Sequence, residues 1–322
     1  MKKLPHISTL RNILILRAEG ALGDAIRSSC CYRAIKQANP NIKITVGCFG
    51  TNVQYLSANP YIDTLIKLPI RRHIRGNQRW LSLILTALKL RRHKFDLVLD
   101  TSNMDHYNWH FFKWIIGTNR VLDKFTCPIT PFGSPNEHMA KHKLAIVKLL
   151  GVQSDDWSYD LPTPPQTRQS IDLWLTQHKL AQYILLNPTG STVQKRFTPL
   201  TLTQLVTQIK ALGFPIIILT EPQFYTYWKN SISEDTTLFL KQTNSIFEAF
   251  ELLRRAALVI TPDTALLHAA TGFERPTIAF YNEYCPQNDP ANPKCKIIKT
   301  NPNDINDFDW NSFKDILIQT KI

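Results

Sequence analysis

The chain reads as an α/β protein built on two parallel sheets. Apolar strand-like runs alternate with helical segments along nearly all of its 322 residues. A proline-rich stretch, 161–167, interrupts the alternation, and it then begins again. The length suits two domains, and with 43% hydrophobic and 20% charged residues the chain is a folded protein. Repeated βα units imply parallel sheets with helices on both faces. Two such sheets joined by a short stiff hinge would leave a cleft between them.

Each element follows from an apolar run and its punctuation. Residues 12–17 are the first strand. Residues 25–37 form a helix ended by Asn39-Pro40. Strands at 42–46 and 64–68 follow, then an apolar helix at 80–90 and a strand at 95–100. A helix at 106–116 stops at Gly117, a short strand spans 120–122, and a helix at 138–150 stops at Gly151. Beyond the hinge come a strand at 183–187, a helix at 200–212, a strand at 215–219, a helix at 247–255 and a strand at 258–261. A helix capped by Asp263 runs to Gly272, and a strand spans 277–281.

The net charge is +13, most of it in the first half, which predicts an anionic partner. Arg71, Arg72 and Arg75 form one basic cluster; Lys89, Arg91, Arg92 and Lys94 form another. They suit a phosphorylated, lipid-linked acceptor or an anionic membrane surface; a solvated basic face is the plain alternative. Aromatics between Tyr107 and Trp114 fit packed core better than a nucleic-acid platform, because their spacing is helical. The six cysteines lack metal-site spacing and read as reduced thiols of a cytosolic protein. No secretory leader and no membrane-spanning run is expected.

Four strand ends carry polar residues, and the carboxyl edge of such sheets is where ligands bind. After the first strand come Gly20, Gly23 and Asp24, where the carboxylate is either a helix cap or a general base. This is not the GxGxxG fingerprint, and the second strand ends in Cys48-Phe49-Gly50 without an acid for a ribose, which disfavours a dehydrogenase. After the strand at 183–187 come Gly190, Ser191, Thr192, Lys195 and Arg196, hydroxyls and cations that suit phosphate oxygens. Thr220-Glu221 follows the strand at 215–219 and is the weakest of the four. The fourth is Asp263-Thr264-Ala265 with His268 one turn further on, a helix N-terminus fit for an anion.

Taken in order, Leu22-Gly23-Asp24, Asn59-Pro60-Tyr61-Ile62-Asp63, the helix after His138, the 188–197 segment ending Lys195-Arg196-Phe197, and Asp263 to His268 resemble the motifs of the family 9 heptosyltransferases. These are glycosyltransferases of the lipopolysaccharide inner core. Ala265 stands where the family pattern has Gly, Phe197 where Trp is common, and 282–286 replaces a Gly-Pro type of turn. The resemblance implies the GT-B fold: two Rossmann-like domains facing across a cleft, here 1–162 for the acceptor and 163–307 for the nucleotide sugar, with a last helix, about 308–322, packing back on the first. It implies an inverting transfer of heptose from ADP-heptose to Kdo or heptose, with no metal and no cofactor beyond the donor. Asp24 would be the base and Lys195 the stabiliser of the leaving diphosphate. Ser191, Thr192, Arg196, Glu221, Asp263, Thr264, Ala265 and His268 would hold the donor. Arg71, Arg72, Arg75, Arg91 and Arg92 would face the acceptor or membrane. The implied location is the cytoplasmic face of the inner membrane of a Gram-negative bacterium, as a peripheral protein without a nucleic-acid partner. Two alternatives stand beside this: another nucleotide-hexose donor, or a basic non-catalytic protein binding anionic lipid or nucleic acid. Asp307-Phe308-Asp309 reads as a cap on the last helix rather than a metal motif.

Overall fold

A computed structural model describes residues 4–17, 21–48, 50–68, 77–100, 107–118, 120–123, 127 and 137–320. Two compact units, 1–160 and 161–322, divide the chain. The boundary falls at the start of the proline-rich stretch, two residues before the expected one. The last three residues of that stretch are helical rather than linker. Pro165 opens a helix, because a proline at the first helical position gives up an N–H that would lack a partner anyway.

In the first unit, β1 (Asn12–Arg17) is followed by α1 (Leu22–Arg27), α2 (Ser29–Ala38), β2 (Lys43–Cys48), α3 (Val53–Ser57) and β3 (Thr64–Lys67). Then come α4 (Asn77–Arg91), β4 (Leu97–Asp100), α5 (Tyr107–Ile116), β5 (Val121–Leu122) and α6 (Met139–Lys148). The sheet order is β3-β2-β1-β4-β5 and every pairing is parallel. Connections run outward in one direction from β1 through β2 to β3, and in the other from β4 to β5. The reversal lies between β1 and β4, so the crevice at their carboxyl ends is the natural ligand position of this sheet. The loop and helix after β1 carry Asp24.

The helix expected at 25–37 is two helices. Ser28 breaks it, with φ −93° and ψ −7°, and its hydroxyl donates back to the Asp24 carbonyl at 2.8 Å. Asp63 ties the sheet edge together: it accepts from the Ile44 N–H at 2.7 Å and pairs with Lys36 at 2.8 Å. The Asn59–Asp63 landmark therefore has a structural job. His138 caps α6 through Nδ1, which accepts from the Ala140 N–H at 3.2 Å.

The second unit holds α7 (Pro165–Gln177), β6 (Ile184–Leu186), α8 (Pro199–Lys210), β7 (Ile216–Thr220), α9 (Pro222–Ser231), β8 (Leu238–Gln242) and α10 (Ile246–Arg255). It continues with β9 (Leu258–Pro262), α11 (Ala265–Gly272), β10 (Thr277–Tyr281), β11 (Cys295–Asn301), β12 (Asp304–Phe308) and α12 (Trp310–Gln319). The order is β12-β11-β10-β9-β6-β7-β8, parallel except for the antiparallel edge pair β11–β12. Here the reversal falls between β6 and β9. Asp309 caps α12, as expected, accepting from the N–H groups of Asn311 and Ser312. That helix belongs to the second unit: Phe313 and Leu317 are buried among Leu202, Ile278 and Phe280. Its apolar face is thus used on the second unit's core, which corrects the expected return to the first.

Phe280 is the hub of that core. Its ring is fully buried, 5.1 Å from Phe197, 4.9 Å from Phe308 and 5.9 Å from Phe313. It therefore joins the end of the 188–197 loop to β12 and α12. Phe280→Ala is expected to cost about 3–5 kcal/mol, the usual range for emptying a buried phenylalanine site. Urea unfolding of the full chain, compared with the wild type, measures it.

Candidate functional site

The loop after β6 is folded tightly on itself. At Gly190 a Cβ would collide with the backbone and Cβ of Lys195, so only glycine lets the two lie together. Three asparagine side chains fix the loop. Asn187, 4% exposed, donates from Nδ2 to the Thr189 carbonyl at 3.1 Å and to Thr261 Oγ1 at 3.0 Å, and accepts from the Thr189 N–H at 3.3 Å. Asn282 donates to the Gln194 carbonyl at 3.2 Å and to the Asn301 carbonyl at 2.9 Å. Asn306 donates to the Arg196 carbonyl at 3.1 Å and accepts from the Thr198 N–H at 2.8 Å. The turn at 282–286, where the family pattern differs, thus supplies one of the three anchors.

So held, Lys195 reaches the end of β9. Its Nζ lies 2.8 Å from Asp263 Oδ2 and 3.4 Å from the Asp263 carbonyl. Both side chains keep some exposure, and a pair of this kind adds little net stability. What it fixes is position. An ammonium has three donors, and Asp263 uses two of them, which leaves capacity for an incoming anion.

Asp263 is not the cap of α11. Thr264 is: its hydroxyl accepts from the Leu266 N–H at 3.3 Å, and its backbone is extended. The reason is spatial. The Asp263 carboxylate is drawn to Lys195, so the next residue satisfies the helix terminus. Asn187 Nδ2 also stands 3.4 Å from Thr264 Oγ1, linking the ends of both strands and the cap. Ala265 opens α11 beside this point, so its methyl replaces a hydrogen at a helix N-terminus. His268 lies one turn on and is buried.

Ser191 and Thr192 are exposed on the same loop. Arg196 donates from Nε to the Gly190 carbonyl at 3.1 Å and stacks 4.7 Å over the Phe224 ring. Glu221 is exposed at the N-terminal boundary of α9, hydrogen-bonded by Gln223. The second unit therefore brings together Lys195, Asp263, Thr264 and Ala265 at the sheet reversal. Arg196 and Glu221 stand along the β6–β7 side of the same carboxyl edge.

Asp24 stands in the first unit, third in α1 rather than at its cap; Ala21 occupies the cap position. Oδ1 is paired with Arg27 at 2.5 Å, and Arg27 is buried. A fixed guanidinium one turn away orients the carboxylate. Arg91 and Arg92 are exposed at the end of α4. Gly20, Arg71, Arg72 and Arg75 lie outside the described residues. None of the described residues form a His, Cys, Asp and Glu group of the size a metal site needs.

Two open, mostly parallel sheets, one with a cationic loop and a capped helix N-terminus at its reversal, define an α/β fold whose usual ligand position is the carboxyl edge of the sheet. A profile of glycosyltransferase family 9 (heptosyltransferase) matches residues 86–312, and the chain belongs to that family; it is a glycosyltransferase. It is 24% identical over 290 residues to the putative lipopolysaccharide heptosyltransferase 4 of Escherichia coli K12, covering 84% of this chain and 74% of that one. Among solved structures, the family 9 glycosyltransferase from Veillonella parvula aligns with a TM-score of 0.73 at 17% identity, over 96% of this chain and 91% of that one. The E. coli heptosyltransferase WaaC with ADP aligns with the same TM-score at 16% identity, over 96% of this chain and all of that one. The GT-B fold expected from the sequence is the fold these proteins share.

The three asparagines had no part in the expected site. Asn187 read as the last residue of a strand and Asn282 as part of the 282–286 turn, while Asn306 had no assigned place. An amide side chain directly after a wholly apolar strand was the one available signal. Asn187→Ala is expected to loosen the 188–197 loop at a cost of about 1–3 kcal/mol for the lost buried hydrogen bonds. Hydrogen exchange of the loop amides should then quicken by about tenfold or more while β6 and β9 stay protected.

Proposed function

We propose that the protein transfers heptose from ADP-heptose to a sugar of the lipopolysaccharide inner core, with inversion at the anomeric carbon. The observation that carries this is the Lys195–Asp263 pair, 2.8 Å apart, set at the start of α11 on the ligand edge of a sheet whose family is heptosyltransferase. A relative named for lipopolysaccharide heptosyl transfer and a neighbour bound to ADP support the choice of acceptor and nucleotide.

In this reading the diphosphate of the donor lies against Lys195, the hydroxyls of Ser191 and Thr192, and the N–H groups at the start of α11. Arg196 adds positive charge, Glu221 accepts from the ribose, and Asp263 keeps Lys195 in place or accepts from a sugar hydroxyl. His268, one turn further along α11, holds the donor from the same face. Asp24 takes the proton from the acceptor hydroxyl as that oxygen attacks the anomeric carbon. The bond from that carbon to the diphosphate oxygen breaks on the opposite face, and ADP leaves with the added negative charge. Lys195 and the helix N-terminus stabilise that charge, so the step calls on no metal ion. Arg27 holds the Asp24 carboxylate for the task. The acceptor is lipid-linked, and the protein works as a peripheral protein at an anionic inner-membrane surface.

Asp24→Asn should lower transfer by about 10²–10⁴-fold, the usual contribution of a general base, with ADP affinity unchanged. Lys195→Ala should weaken ADP binding itself. Calorimetric titration with ADP and a turnover assay with ADP-heptose separate the two effects. Full turnover by the Asp24 variant removes it as the base, and turnover with a different nucleotide hexose in preference to ADP-heptose replaces the donor.

A further inference from the structure

The first unit carries an apolar stripe that its own core does not use. Ala87 and Leu90 of α4 are buried against Leu14, Val98 and Phe112, with Ile84 packed at the edge. On the other side of the helix Leu81 is 61% exposed, Leu85 57% and Leu88 46%. Their spacing, i, i+4 and i+7, sets them in one row along the helix, and Arg92 continues the row at i+11. The remaining exposed large apolar side chains of the described residues are scattered over different elements, apart from Trp114 on α5, which packs beside α4 and is 73% exposed. Scattered apolar residues need no explanation, but a row of three leucines does.

The charge around this row selects its partner. From residue 64 to 95 the sequence has nine Lys and Arg and no Asp or Glu. Lys89, Arg91, Arg92, His93 and Lys94 are all exposed at the C-terminal end of α4. Of the whole net charge of +13, the first unit holds +12, from 23 Lys and Arg against 11 Asp and Glu. A protein partner that buried the leucines would need acidic groups around its own apolar patch. A bilayer with anionic headgroups offers both features over an extended plane: phosphates for the cations and an acyl boundary for leucine side chains. No helix among the described residues is long and apolar enough to cross a membrane, so contact is confined to the surface.

We propose that α4 is the membrane-docking element of this protein, lying along an anionic bilayer with Leu81, Leu85 and Leu88 in the acyl boundary and the cations around Arg92 at the headgroups. This rests on the reading above for its purpose, to bring the enzyme to a lipid-linked acceptor. Its physical content is independent of which sugar is transferred.

The test uses the full chain and vesicles of phosphatidylcholine with and without phosphatidylglycerol. The wild type should co-sediment with the phosphatidylglycerol vesicles and far less with phosphatidylcholine alone. The triple variant Leu81→Ser, Leu85→Ser, Leu88→Ser should bind about tenfold or more weakly, because the apolar part of the interaction is gone. The double variant Lys89→Gln, Arg92→Gln should lose binding mainly at low salt. Both variants should keep the wild-type circular dichroism and ADP titration, which shows that the fold and the second unit's site are intact. Vesicle binding by the triple variant equal to the wild type overturns the proposal, as does a wild type that ignores anionic vesicles. A wild-type dimer that the triple variant converts to monomer, with vesicle binding unaltered, assigns the stripe to a second copy of the chain and overturns it too. Failure of ADP to bind while vesicle binding follows the expected pattern counts against the transferase reading and leaves the docking surface standing.

Discussion

The second unit depends on one constraint: the ends of β6 and β9 must be held together at the point where the sheet reverses direction. Neighbouring strands leave this point in opposite senses, so their connecting loops part and open a crevice. Asn187 spans it, bonding its own loop and Thr261. Lys195 spans it too, paired with Asp263. Without the first bridge the loop that carries Lys195 would lose one of its anchors. Without the second the ammonium would be one more mobile surface cation. Close approach at Gly190, and the anchors from Asn282 and Asn306, set the same loop from its other side. A cation held this way is oriented before any ligand arrives, which is the condition for stabilising developing charge without reorganisation.

In the proposed reaction the second unit would supply positive charge for a leaving diphosphate, and the first a carboxylate, Asp24, which follows the strand beside that sheet's reversal and is held by a partner, Arg27. In each unit the candidate group follows a central strand and is restrained by an oppositely charged side chain. The paired partners make little difference to global stability. Their value is that a carboxylate and an ammonium each keep one direction, which a transfer reaction needs more than it needs rigidity elsewhere.

Much of the fold could be read from the chain, and the reasons are physical. The central strands are apolar runs with no competing helical period, so β1, β4, β6, β7, β9 and β10 all appear near their expected places. Elements with mixed composition were harder: α9, β8, β11 and β12 carry polar residues because one side meets water, and the pattern is diluted. Ser28 breaks a helix that propensity alone would continue, through a hydroxyl bond that only the folded chain reveals. At the site, residue types revealed more than residue roles. Asp263 has the composition of a cap, yet a cation 68 positions earlier in sequence claims it, and Thr264 caps instead. Asn187, Asn282 and Asn306 are invisible to motif reading because their function is to bond backbone carbonyls of distant segments. Such long-range amide contacts have no local signature in sequence.

In the proposed reaction the Lys195 loop and the start of α11 together form the diphosphate site, and a crystal structure of the protein with ADP would test this. Diphosphate oxygens are expected within hydrogen-bond distance of Lys195 Nζ and of the backbone N–H groups at Ala265 and Leu266, with the Lys195–Asp263 pair preserved. ADP bound at another edge of the sheet, with this loop and helix left empty, would contradict it.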